Sequence, residues 1–95
     1  MSDSLFAIIA YDRPGSDEAR ITHRDGHLAH FRAHADRISV AGPLSGSASG
    51  SLVIYQASSA QEARDFIEGD PFHAAGVWDR IEVLNFKAAS GKWAG

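Results

Sequence analysis

His27 and Asp70 are the two residues of this 95-residue chain best suited to chemistry. An imidazole exchanges a proton near neutral pH. A carboxylate aimed at one ring nitrogen fixes the tautomer and supports the cation formed when the other nitrogen is protonated. On a helix advancing ~100° per residue, Phe31 is offset from His27 by about 40° and Leu28 by about 100°. His27 therefore sits at the edge of an apolar stripe, where a side chain can face a pocket between helix and sheet. The plainer alternative is a boundary histidine satisfied by water or a backbone carbonyl. Asp70 precedes Pro71 and Phe72, which is the pattern of a helix N-cap. Capping does not exclude catalysis, because one carboxylate oxygen can cap while the other receives a ring N–H.

Other polar residues have narrower roles. His23, His27, His30 and His34 recur at spacings of four and three and share one helical face, the spacing a helix uses to bind zinc or iron. The row lacks a carboxylate at the same spacing, and no metal is assigned to it. Arg13 and Arg20 could each grip a substrate carboxylate in a bidentate fork, or form an ion pair with Asp12, Asp17 or Glu18. Ser49 and Ser51 flank Gly50 and could donate hydrogen bonds to a ligand oxygen. No G-x-S-x-G elbow surrounds them, so neither is read as a nucleophile. Gly42 and Pro43 are expected to shape a pocket wall, and Phe72 to line it or fill the core. Ala41-Gly42-Pro43-Leu44 lacks the glycine spacing and lysine of a phosphate loop.

These residues need elements to hold them. Leu5–Tyr11 is a continuous apolar run and reads as a central strand buried on both faces. Asp12–Ser16 is a turn by composition. From Asp17 to about Asp36 the spacing predicts a helix, with Ile21, Leu28, Phe31, Ala35 and Ile38 as its apolar stripe. Gly26 inside it permits either close packing or the approach of a ligand. Ile38–Ala41 reads as a short strand ended by Gly42-Pro43. Ser45–Gly50 is a loop of small residues, open to close approach by a ligand. Ser51–Ala57 is the third strand. Ser59 and Glu62 fit a capping box that opens a helix with Ala60, Ala63, Phe66 and Ile67 on its apolar face, closed by Gly69. A short helix runs from Asp70 towards Trp78. Arg80–Phe86 alternates as the last strand, with Ile81 and Val83 on one face and Leu84 and Phe86 on the other. In the tail, Lys87–Gly95, Trp93 is the one residue able to dock.

The order β-α-β-β-α-(short α)-β over a single domain, residues 1–95, predicts a ferredoxin-like α+β sandwich. Two helices would cover one sheet face and leave the other apolar and open, so the chain is expected to dimerise sheet to sheet into an α/β barrel. Hydrophobic residues make up 44% of the chain, enough for a core. The net charge of −3 comes without any basic cluster, which argues against nucleic-acid binding. Cysteine is absent, which excludes thiolate metal sites and cysteine nucleophiles and fits a cytoplasmic protein. Met1–Ser4 lacks the basic stretch of a signal peptide, and no apolar run approaches the ~20 residues that span a bilayer.

Taken in order, Tyr11-Asp12-Arg13-Pro14, Arg20 followed by His27-Leu28, Ala41-Gly42-Pro43-Leu44, Gly50-Ser51-Leu52, Asp70-Pro71-Phe72 and Ala75-Gly76-Val77 resemble the YciI-like family of the dimeric α+β barrel superfamily. The likeness covers nearly the whole chain. The segment between Pro43 and Ser51 is shorter than the loop many relatives carry. The resemblance implies a ferredoxin-like fold, a face-to-face dimer, and a pocket between sheet and helices holding His27 and Asp70. Members look like small enzymes acting on ring or lactone-type compounds by proton transfer or dehalogenation. The wider superfamily includes muconolactone isomerases and haem- or quinone-handling monooxygenases. The expected function is acid/base chemistry by His27 and Asp70 on a small cyclic or carbonyl compound, by isomerisation, elimination or lyase-type reaction, with no cofactor required. The alternative is a non-catalytic dimeric module that binds a small molecule. Assembly beyond a dimer is left open.

Overall fold

The computed structural model describes residues 3–94; the outermost residues of the polar N-terminal stretch and of the tail, Met1, Ser2 and Gly95, lie outside the described residues. Four strands, β1 (Ser4–Asp12), β2 (Ile38–Leu44), β3 (Gly50–Ala57) and β4 (Trp78–Phe86), form one sheet in the order β2-β3-β1-β4. Every pairing is antiparallel. Helices α1 (Asp17–Ala33), α2 (Ala60–Glu68) and α3 (Pro71–Ala74) complete a ferredoxin-like α+β fold. No described helix is long and apolar enough to cross a membrane.

The strand alternation decides where the core lies. Phe6, Ile8 and Ala10 of β1 are buried on the helix-covered face, beside Val53, Tyr55 and Ala57 of β3. Ala63, Phe66 and Ile67 of α2 close over them with Phe72 and Val77. Each large apolar side chain removed from water contributes about 1.5–3 kcal/mol, so this patch dominates stability. The opposite sheet face carries Ala7, Ile9, Leu52 and Ile54 in register with Leu84 and Val40. It is only partly covered: β1 alternates between buried and half-buried residues, and Leu84 is 50% exposed. Within one chain, then, β1 is central but fully buried on one face alone.

Several boundaries depart from the sequence reading. Pro43 does not end β2; the strand runs to Leu44, with Pro43 opposite Ser51. β2 is an edge strand, where a missing N–H disrupts no ladder. Helix α1 stops at Ala33 rather than Asp36, and a 3₁₀ turn, Ala35–Arg37, follows. The His34 ring donates from Nδ1 to the His30 carbonyl at 2.9 Å, the acceptor an α-helical His34 N–H would use. That N–H bonds to the Phe31 carbonyl instead. The short helix ends at Ala74, and Trp78 opens β4. Ala60 is exposed.

The apolar stripe of α1 also differs in use. No residue of α1 is fully buried, and Ile21 is 78% exposed. The helix packs chiefly on α3 instead of lying flat on the sheet. Gly26 makes this possible, since a Cβ there would come within 3.1 Å of the Pro71 ring. Gly50 has a structural reason too. A Cβ would collide with the Ala10 backbone, so this glycine serves strand packing and begins β3 instead of closing a ligand loop. Trp93 is 82% exposed and is not docked on the described residues.

Candidate active site

Asp70 is where the local and the long-range structure meet. Pro71 at the first helical position pre-sets the backbone of α3, and Asp70 caps it. One carboxylate oxygen, Oδ1, accepts the Phe72 N–H at 2.8 Å. The other, Oδ2, lies 2.6 Å from His27 Nδ1. Asp70 is 1% exposed. An ionised carboxylate can only accept, so Nδ1 carries the proton and Nε2 is the nitrogen left for chemistry. The imidazole is further held by stacking on Phe72, with centroids 4.1 Å apart and planes within 7°. Phe31 lies against it at 4.5 Å, and Trp78 meets it edge-on at 6.2 Å. Both the position and the tautomer of His27 are thus set by the α1–α3 contact that Gly26 permits.

His27 forms part of the wall of a cleft of about 470 Å³ between α1 and the β2 edge of the sheet. Arg20, Gly42, Pro43, Ser51 and Phe72 line the same cleft. Ile21 and Leu28, the exposed part of the α1 stripe, line it as well. A volume of this size suits a small organic ligand. Arg20 is already engaged: its Nε and Nη2 each donate to the Asp12 carboxylate at 2.9 Å. Its Nη2 also lies 3.5 Å from Ser51 Oγ, and its guanidinium carbon sits 5.1 Å from the Phe72 centroid.

Two residues singled out in the sequence do not join this cleft. Arg13 is exposed and donates from Nε to the Gly76 carbonyl at 3.2 Å, which ties it to the loop before β4. Ser49 uses its own carbonyl to accept the Asp12 N–H at 2.9 Å, and its side chain is outside the lining. Conversely, the cleft includes Arg24, which the sequence reading passed over. The signal was available: at ~100° per residue, positions 20, 24 and 27 fall within about 60° of one another on α1.

The histidine row separates. His30 Nε2 lies 2.7 Å from the Phe66 carbonyl. His34 turns back on its own helix, and His23 is exposed. Among the described residues no three His, Cys, Asp or Glu side chains gather closely enough to hold a metal ion.

An α+β ferredoxin-like domain with a buried aspartate behind a cleft histidine is a recognisable type of small protein. Residues 4–87 match the YCII-related domain, and the chain belongs to that family. Protein YciI of Escherichia coli is 35% identical over 94 residues, covering 87% of this chain and 96% of that protein. An uncharacterized protein of Haemophilus influenzae is 32% identical, covering 86% of this chain and 95% of its own length. Among solved structures, 5-chloro-2-hydroxyhydroquinone dehydrochlorinase from Burkholderia phenoliruptrix, in complex with 2,5-dihydroxybenzoquinone, matches with a TM-score of 0.83. It is 35% identical, with 90% of this chain and 95% of that chain covered.

Proposed function

We propose that this chain is a small cytoplasmic enzyme that uses His27 and Asp70 for acid/base chemistry on a small cyclic hydroxy or carbonyl compound. The observation that carries the reading is the 2.6 Å contact from Asp70 to His27 Nδ1 at the wall of an open cleft. A purely structural pair has no need of a cavity beside it. The dehydrochlorinase activity named for the structural relative supports the substrate class.

In this mechanism Nε2 takes a proton from a ring hydroxyl or from a C–H beside a carbonyl. The electron pair moves into the ring. It picks up a proton at another carbon, an isomerisation; where that carbon carries a halogen, loss of a second ring-hydroxyl proton then expels the halide with its electrons, an elimination of HX. Asp70 holds the tautomer and balances the imidazolium charge while the proton resides on Nε2. The imidazolium then returns that proton to the substrate or to water.

The test is halide release and absorbance change with chlorinated hydroxyhydroquinones. Wild type should turn over, and His27→Ala should lose about 10²–10⁴-fold in rate while remaining folded. Release no faster than in buffer, or an equally active His27→Ala, sinks the catalytic reading. Binding of these compounds without conversion would favour a passive binding module.

The working form in this proposal is a homodimer joined through the apolar sheet face around Ile9, Leu52, Ile54 and Leu84. One chain leaves that face half-covered, which is the state a face-to-face partner relieves. Sedimentation should give twice the chain mass for wild type and a monomer for Leu84→Asp; a monomeric wild type refutes it.

A further inference from the structure

One charged side chain at the cleft wall has no partner among the described residues. The cleft lining contains three basic side chains, Arg20, Arg24 and His27, and no acidic one, on a chain of net charge −3. Arg20 is neutralised by Asp12, whose carboxylate accepts two hydrogen bonds from its guanidinium. His27 is matched to Asp70: the pair carries one negative charge when the imidazole is neutral and none once it is protonated. Arg24 makes no hydrogen bond or ion pair among the described residues. It stands one helical turn from both Arg20 and His27.

We propose that Arg24 is the anion-reading residue of this cleft, and that the cleft takes a small ring compound whose ionised oxygen, an enolate, phenolate or carboxylate, pairs with the Arg24 guanidinium. The inference rests on the acid/base role of His27 for its catalytic meaning, but the binding part stands on the place of the unpartnered Arg24 guanidinium in the cleft lining. When Nε2 takes a proton, the substrate gains one negative charge and the His27–Asp70 pair becomes neutral. The wall is then left with the single positive charge of Arg24, which matches the anion just formed. A cation fixed where negative charge develops stabilises that state without further reorganisation. Pro43, Phe31 and Leu28 supply apolar surface for the rest of the ring. Arg24 is exposed, so its contribution is screened by salt.

The experiment measures binding by calorimetry with two probes of similar size: 2,5-dihydroxybenzoquinone, whose acidic enols are ionised at neutral pH, and uncharged hydroquinone. Wild type should prefer the anion, and the preference should shrink as salt is raised. Arg24→Gln should weaken anion binding roughly tenfold, the scale of one charge-assisted hydrogen bond. It should leave hydroquinone within about twofold, and Arg24→Lys should recover part of the loss. Unchanged anion affinity in Arg24→Gln, equal loss for both probes, a loss confined to Arg20→Gln, or binding of neither probe to wild type would each overturn the proposal. Turnover is not part of this readout. A protein that binds the anion through Arg24 and never converts it upholds this inference while refuting the acid/base one.

Discussion

His27 and His30 are three residues apart on one helix, each stacked on a phenylalanine, yet their surroundings differ in the one respect that matters for chemistry. His27 stacks on Phe72 and directs Nδ1 to the buried carboxylate of Asp70. His30 stacks on Phe66 and directs Nε2 to that residue's carbonyl. A carbonyl is a neutral acceptor; it orients a ring but offers no charge to an imidazolium. The two acceptors also sit at opposite helix ends. Phe66 is among the last residues of α2, where its carbonyl also accepts the Gly69 N–H at 3.2 Å, and Asp70 is the cap of α3. The pair of histidines thus straddles the α2–α3 junction. One closes the end of a helix, while the other borrows a capping residue for a second purpose. Similar side chains at similar spacing come to face a neutral carbonyl or a buried carboxylate according to the partner across the interface.

Substitutions can break this contrast. The largest stability change is expected at Asp70. Asp70→Ala removes a cap worth about 1 kcal/mol and a charge-assisted hydrogen bond worth about 1.5–3 kcal/mol. Asp70→Asn keeps an acceptor oxygen and should lose less. Urea midpoints at neutral pH measure both, and ring nitrogen shifts of His27 report whether Nδ1 keeps its proton. A loss in Asp70→Ala below about 0.5 kcal/mol, the level of an ordinary surface change, would mean the contact carries no load.

A smaller effect is expected on the other side. His30→Ala should cost about 0.5–1.5 kcal/mol for its hydrogen bond, with some further loss from the Phe66 contact, and should leave turnover within a few-fold of wild type. If His30→Ala abolished turnover, the outcome expected of His27→Ala, the division between the two corners would be wrong.

The smallest effect is at alkaline pH. Tyr55 stacks on Phe66 in the His30 corner, and burial holds its phenol above the usual value of 10.0, with Glu62 adding to the rise and Arg37 opposing it. The folded state therefore favours the protonated phenol. That contribution to stability is fully present below pH 10.0 and is lost as pH rises through the higher folded value. Unfolding curves should weaken above that point, and Tyr55→Phe should weaken less. Identical alkaline profiles for the two proteins would remove Tyr55 as a source.

Much of the fold was legible residue by residue. Ser59 accepts the Glu62 N–H at 3.1 Å, as the capping box requires, although the Glu62 carboxylate reaches the Ser58 N–H at 2.9 Å rather than that of Ser59. The alternation in β4 put Ile81 and Val83 on one face and Leu84 and Phe86 on the other; the first pair packs against the core and the second is exposed. The α1 stripe was legible as a pattern and misleading as a prediction of burial. Periodicity reports which residues share a face, whereas the depth at which that face sits is set by what else the helix touches. Here α3 holds α1 away from the sheet edge, and Ile21 and Leu28 line a cleft instead of a core.

By itself the sequence determined the element order, the Ser59 and Asp70 caps and the two faces of β4. All of these depend on residues within a few positions of one another, and the backbone geometry there is nearly fixed by residue type. The local rules offered His27 a place facing a pocket and Asp70 a cap, and the resemblance put the two in one pocket. Tertiary structure decided that Asp70 Oδ2 meets a ring 43 residues away, that Asp12 takes Arg20, that Arg13 turns to Gly76, and that Arg24 stays unpaired among the described residues at the cleft. Those outcomes follow from how closely α1 can approach α3 over Gly26 and from which groups the sheet edge leaves uncovered. No local preference contains that information.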